Sequence, residues 1–169
     1  MDSAKEKVIL LVEDESIIAL AASRKIESLG YEVMIASTGE TAVALSASDS
    51  RIDLVLMDID LGRGMDGPEA AALILRSRSL PVVFLTSHAE RDTVEKVRGI
   101  TRYGYVIKNS GDFVLRSSIE MAFELFGAHD AAQRNEEKFR HLFNNMTIGF
   151  ALHEIILDEG GKPVDYRFL

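Results

Sequence analysis

Val8-Ile9-Leu10-Leu11-Val12-Glu13-Asp14 decides the fold: five apolar residues run without a break and end on two carboxylates. A strand with one wet face alternates, whereas a strand covered on both faces is apolar throughout. This run therefore belongs inside a parallel sheet flanked by helices. The signature returns at residues 54–57 before Asp58, at 82–85 before Thr86 and, more briefly, at Tyr105-Val106-Ile107 before Lys108. Each of the four runs delivers a polar side chain just past its carboxyl end. In a parallel α/β sheet all such positions share one edge, and ligands bind there.

Helical periodicity fills the gaps. Ile18, Ala22, Ile26 and Leu29 recur on one helix face, with Gly30 as the stop. Residues 32–36 read as the second strand, and Ser37-Thr38-Gly39-Glu40 has the form of a capping box opening a helix to about Ser46. A loop over 59–67 leads to Pro68, placed where a first helical turn tolerates its missing N–H. Val94, Val97 and Ile100 mark a short helix. A final one is expected from about Gly111 to Phe126, with Leu115, Ile119, Ala122, Phe123 and Phe126 facing inward. Five βα units imply a parallel sheet with right-handed crossovers and helices on both faces.

The pattern changes at Gly127. Residues 128–138 are polar and charged, with no apolar stripe, and read as a linker or helix extension. Phe139, Leu142, Phe143 and Met146 resume helical spacing; 148–157 reads as a strand, Asp158-Glu159-Gly160-Gly161 as a turn and 163–169 as a returning strand. One helix and one hairpin bury too little to make a core. The expected plan is a domain over 1–127, a linker over 128–138 and the truncated front of a second domain over 139–169.

The 169 residues, 47% of them hydrophobic, suffice for one ordinary domain and an extension. A net charge of −8 argues against gripping a nucleic-acid backbone. With no cysteine, disulfides, thiolate catalysis and cysteine-ligated zinc are excluded. The charged start, Met1-Asp2-Ser3-Ala4-Lys5-Glu6-Lys7, has no signal-peptide core, and no apolar run approaches a membrane span. A cytoplasmic protein is expected.

Glu13, Asp14 and Asp58 would repel one another in a shared pocket, at roughly 4 kcal/mol per pair about 4 Å apart. A divalent cation resolves that cost, and hard carboxylate oxygens suit Mg²⁺, which also accepts phosphate oxygens. A carboxylate can attack phosphorus. The Thr86 hydroxyl and the Lys108 ammonium are suited to the oxygens of the product. His88, His129, His141 and His153 read instead as solvated or packing residues, and Met57 and Met65 as core and loop filler.

Leu11-Val12-Glu13-Asp14-Glu15, Leu56-Met57-Asp58-Ile59-Asp60, Phe84-Leu85-Thr86-Ser87 and Tyr105-Val106-Ile107-Lys108 together resemble the motif set of response-regulator receiver domains, in the family's order and approximate spacing over residues 5–127. The resemblance implies a flavodoxin-like, doubly wound five-stranded sheet in the order 2-1-3-4-5, and a Mg²⁺-dependent role in two-component phosphorelay signalling. It makes Asp58 the phosphoacceptor, Asp14 the direct metal ligand, Glu13 a ligand through water and Asp60 a ligand through its backbone carbonyl. Thr86 becomes the switch hydroxyl, Lys108 its counter-charge and Tyr105 the switch aromatic. The implied donor is a histidine kinase, a phosphotransfer protein or a small acyl phosphate. The implied output is the face made by the fifth strand with the helices on either side, which is also a route to a homodimer, as is the C-terminal helix. Self-phosphorylation and autodephosphorylation, rather than multiple turnover, are the activities it implies.

Two departures stand out. The family usually has proline, in a cis peptide, after the lysine; here the pair is Lys108-Asn109, and a cis bond without proline costs about 3–4 kcal/mol, which leaves the isomer open; a trans bond would set Lys108 differently. The loop over 59–67 has Gly62 and Gly64 in place of the common proline and runs slightly longer, which is expected to affect phosphoryl lifetime or partner fit. Residues 135–150 resemble the entry to a PAS sensory domain. Rival readings are a Toprim-like metal site on Glu13 and Asp58-Ile59-Asp60 in a nucleic-acid enzyme, a haloacid-dehalogenase phosphatase, and an interaction module that is never phosphorylated.

Overall fold

The computed structural model describes residues 7–62, 64–87, 99–100, 103–144 and 153–168. The chain divides into two compact units, 1–129 and 130–169.

In the first unit β1 (Val8–Val12) leads through α1 (Ser16–Ser28) to β2 (Glu32–Ala36), α2 (Gly39–Ser48) and β3 (Ile52–Asp58). Then follow α3 (Gly67–Ser77), β4 (Val82–Thr86), β5 (Tyr105–Ile107) and α4 (Asp112–Asn144). The strands form one sheet in the order β2-β1-β3-β4-β5, every pair parallel. This is the five-stranded, doubly wound arrangement expected. The short helix anticipated around Val94 and Val97 lies outside the described residues.

The unbroken apolar runs divide by the pleat, because successive side chains point to opposite faces. Leu10, Val12, Val55, Met57 and Phe84 pack with Ala42 of α2 and Ala70, Ala71 and Ile74 of α3. Ile9, Leu11, Leu54, Leu56, Val83 and Leu85 pack with Ile26 of α1 and Ile119 and Ala122 of α4 on the other face. Both cores are lined by apolar side chains, so β1 and β4 carry no polar residue until their carboxyl ends, and β3 none between Asp53 at its start and Asp58 at its end.

Local signals differ from expectation in two places. The cap of α2 is Thr38, whose hydroxyl accepts the Thr41 N–H at 3.1 Å, one residue later than the Ser37 box implied. That releases Glu40 from capping Ser37, and its carboxylate accepts the Met65 N–H instead. The last helix passes Gly127 and continues to Asn144. A single helical glycine costs only about 1 kcal/mol relative to alanine. No proline follows it before Pro163, and the ion pairs Asp130–Arg134 and Glu136–Arg140 sit at the supportive i,i+4 spacing.

In the second unit β6 (His153–Leu157) and β7 (Pro163–Phe168) form an antiparallel hairpin. Asp158 Oδ1 closes its turn by accepting the N–H groups of Gly160 and Lys162, both at 2.9 Å. Ile155, Ile156, Leu157 and Val164 are exposed. Among the described residues no helix is long and apolar enough to cross a membrane.

Candidate functional site at the carboxyl edge

Each candidate side chain is placed by the end of a strand. β1 hands over to Glu13, which is 1% exposed, and to Asp14, which reaches solvent. β3 ends on Asp58 and β4 on Thr86, both buried, and Lys108 follows β5 directly. Parallel register brings them level: Asp58 pairs with Leu85, and Thr86 with Ile107. The Lys108 N–H donates to the Thr86 carbonyl at 2.7 Å, which anchors the lysine backbone beside the end of β4.

Lys108 joins the cluster. Its ammonium lies 2.7 Å from Glu13 Oε2 and 2.7 Å from Asp58 Oδ2. Asp58 Oδ1 accepts the Asp60 N–H at 3.3 Å, and Glu13 Oε1 the Glu15 N–H at 3.4 Å. Burial pushes the Asp58 carboxyl above its ordinary range, against the opposing pull of Lys108. Glu13 is pushed up by burial and then by the charge of Asp58. Burial pulls the Lys108 ammonium down, but its hydrogen bonds to Asp58 and Glu13 outweigh that and hold it above its usual value.

The donor set fits a hard cation. One carboxylate oxygen from each of Glu13, Asp14 and Asp58 can be chosen so that all lie within 4.8 Å of one another. Lys108 balances only part of that charge. Oxygen-only ligands with one solvent-facing member suit Mg²⁺, which keeps several waters. Beside Glu13 and Lys108 a cleft of about 290 Å³ opens, with Ile17 and Ala21 of α1 and Leu115 of α4 among the residues that line it.

These four motifs on this sheet edge agree with a direct comparison. The family model for the response regulator receiver domain matches residues 9–120. The chain belongs to that family. The receiver is 35% identical over 126 residues to the transcriptional regulatory protein PdtaR of Mycobacterium tuberculosis, covering 74% of this chain and 60% of that protein. It thus spans about three fifths of that curated relative. Among solved structures it resembles the N-terminal domain of a response regulator/sensory box/GGDEF three-domain protein from Carboxydothermus hydrogenoformans. That pair shares 46% identity at a TM-score of 0.68, with 73% of this chain and 98% of that one covered. It also resembles the signal receiver domain of a modulated diguanylate cyclase from Desulfovibrio desulfuricans G20, at 34% identity, a TM-score of 0.67, and 73% and 98% coverage. Membership of the receiver family sets aside the Toprim and dehalogenase resemblances.

Glu13, Asp14, Asp58 and Lys108 converge as anticipated. Thr86 sits at the same edge, and Asp60 contributes its backbone to Asp58 rather than its exposed side chain. Tyr105 is 43% exposed on β5. Met57 is fully buried and Met65 packs at the core margin, whereas His88 lies outside the described residues. The Lys108–Asn109 peptide is trans, and Asn109 takes a left-handed φ of 67°.

Sequence reasoning missed the supporting contacts of three residues. A Cβ on Gly67 would lie 1.9 Å from the Asp58 carbonyl oxygen, so only glycine lets α3 begin against the end of β3. The signal was present as a glycine between the α3 cap, Asp66, and Pro68. Gly62 donates its N–H to Asp14 Oδ2 and Glu40 binds the Met65 N–H; neither long-range contact has a sequence signature.

Proposed function

We propose that this receiver takes a phosphoryl group onto Asp58 in a Mg²⁺-assisted reaction within a two-component system. The observation that carries the reading is the buried Asp58 carboxylate paired at 2.7 Å with Lys108, beside a carboxylate set that fits a divalent cation. An Asp58 oxygen attacks phosphorus, the bond from phosphorus to the donor breaks, and its electron pair leaves with the donor. The donor is the phosphohistidine of a kinase or phosphotransfer protein, or a small acyl phosphate. Glu13, Asp14, Asp58 and the Asp60 carbonyl would hold Mg²⁺, with Glu13 acting through water. Bound there, the cation screens the incoming charge and orients the phosphoryl oxygens.

Lys108 already lies on an Asp58 oxygen and follows that oxygen's charge onto the phosphoryl group, while Thr86 supplies a hydroxyl donor from the next strand. Drawing these two inward shifts the population of the face built on β5, where Tyr105 is the switch aromatic. Tyr105 and Ile107 on β5, and Phe113, Val114, Met121 and Leu125 on α4, are exposed apolar groups suited to a homodimer or an output partner. Water later cleaves the acyl phosphate, so the receiver is self-resetting rather than a multiple-turnover enzyme.

The domain plan we propose is a receiver over 1–127, a helical linker over 128–138 and a PAS-like segment over 139–169, in a cytoplasmic protein. The antiparallel hairpin with exposed Ile155 and Val164 supports the last part, as does the sensory box named in the Carboxydothermus protein. Intact mass after incubation with acetyl phosphate, with and without Mg²⁺, tests the central reading. The expected result is a Mg²⁺-dependent gain of one phosphoryl group that Asp58→Asn abolishes. No gain with either acetyl phosphate or a phosphorylated histidine kinase would leave a pure interaction module.

A further inference from the structure

Asp14 is the exposed member of the carboxylate set, and an exposed aspartate has several rotamers open to it. Here one is selected. The Gly62 N–H, 48 residues away on the β3–α3 loop, donates to Asp14 Oδ2 at 3.1 Å. A Cβ built on Gly62 would stand 2.7 Å from that same oxygen, so any side chain at residue 62 would push the Asp14 carboxylate out of this position. The far limb of the loop is tied as well. Glu40 accepts the Met65 N–H at 3.1 Å, and hydrogen bonds from its own backbone N–H and that of Met65 hold its carboxyl below the usual range.

We propose that Gly62 is a positioning residue for Mg²⁺ binding: its N–H fixes one oxygen of Asp14 and leaves the other for the cation. This rests on the metal-assisted reading above. The loop's glycine thereby does more than permit a turn. Ligating carboxylates gain affinity when a neighbouring donor holds them in place, and losing such a donor typically costs 10–100-fold in metal affinity. Proline at this position would have no N–H to give. Alanine would keep the donor but press a methyl group onto the carboxylate.

Calorimetric Mg²⁺ titration of the full chain, the urea midpoint without Mg²⁺, and hydrogen exchange at the Gly62 amide form the test. Gly62→Pro should weaken Mg²⁺ binding about tenfold with its urea midpoint unchanged, and Gly62→Ala should weaken it too. The Gly62 amide should be protected in the wild type and exchange faster in Asp14→Ala, a change that needs no metal. Wild-type affinity in both Gly62 variants would overturn the proposal, as would an amide whose exchange Asp14→Ala leaves alone. A wild-type chain that binds no Mg²⁺ would instead overturn the metal-assisted reading itself, even with a protected amide.

Discussion

Lys108 Nζ stands 2.7 Å from Asp58 Oδ2 and at the same distance from Glu13 Oε2, so one ammonium answers two buried carboxylates. Removing one partner of a buried ion pair typically costs about 3–5 kcal/mol, because the charge left behind has neither water nor a counter-ion. Lys108→Ala should therefore lose about 3 kcal/mol of stability without Mg²⁺. Mg²⁺ should restore more stability to the variant than it adds to the wild type, since the cation then has more charge to neutralise. Urea denaturation with and without Mg²⁺ reads both effects. An equal Mg²⁺ gain in the two proteins would count against a shared site.

The pH dependence follows from the same cluster. Burial lifts the Asp58 carboxyl above its ordinary 3.8, and burial followed by the Asp58 charge lifts Glu13 above 4.5. A folded-state pKa above the unfolded one means the native chain binds more protons across that window, so stability falls as pH rises through it. Lys108 acts at the alkaline end: its contribution is complete below 10.5 and disappears as pH climbs through the raised folded value. Asp58→Asn removes one of the two acidic liabilities. Without Mg²⁺ it should gain stability at neutral pH and nothing below about pH 4, where the carboxyl is protonated in both states. Thermal melts of both proteins from acid to neutral pH would show the difference opening with pH; a constant offset would contradict the assignment.

The central strands were legible because burial on both faces leaves only apolar residues, and Val8–Val12 has no other reading. Asp58, Thr86 and Lys108 were legible for the same reason, each being the first polar residue after such a run. Helix ends were less so. Gly127 looks like a stop, but about 1 kcal/mol is within reach of two i,i+4 ion pairs and continued helix hydrogen bonding. The tether from Gly62 to Asp14 was illegible, since a backbone N–H is common to every residue but proline and only the fold decides what it meets.

Stability at the opposite edge of the sheet depends on Arg78. Its guanidinium donates to the carbonyls of Ser46, Asp49, Ser50 and Ile52 at 3.3, 2.8, 2.7 and 2.7 Å, tying the end of α2 to the start of β3. Hydrogen bonds from a charged donor contribute about 1.5–3 kcal/mol, and the planar fork serves several carbonyls at once. Arg78→Ala should lower stability by about 2–3 kcal/mol and Arg78→Lys should recover only part of it. Because these contacts lie at the amino end of β3, phosphoryl uptake by the folded variant should match wild type. A variant with normal stability and slowed uptake would place Arg78 in the site's machinery instead.

Asn109 sets the backbone directly after Lys108, and its φ of 67° is a conformation open to glycine and tolerated by asparagine. The turn closes with the Ser110 N–H on the Ile107 carbonyl at 3.1 Å, and Gly111 follows at φ 97°. Asn109→Gly should change stability by less than about 0.5 kcal/mol, whereas Asn109→Ala should cost about 1 kcal/mol through backbone strain alone. Proline confines φ to about −65°, so Asn109→Pro cannot keep this turn and must move its neighbour. Where the new bond stays trans, Lys108 leaves its place between Glu13 and Asp58 and the loss appears twice, in the urea midpoint and in the rate of phosphoryl gain by intact mass; a cis bond, which proline makes cheap, keeps the lysine in reach. Asn109→Ala separates the two effects: it strains the turn while leaving Lys108 in reach, so it should lower the midpoint with little change in rate. If Asn109→Pro with a trans bond kept wild-type uptake, the position of Lys108 would not depend on this turn.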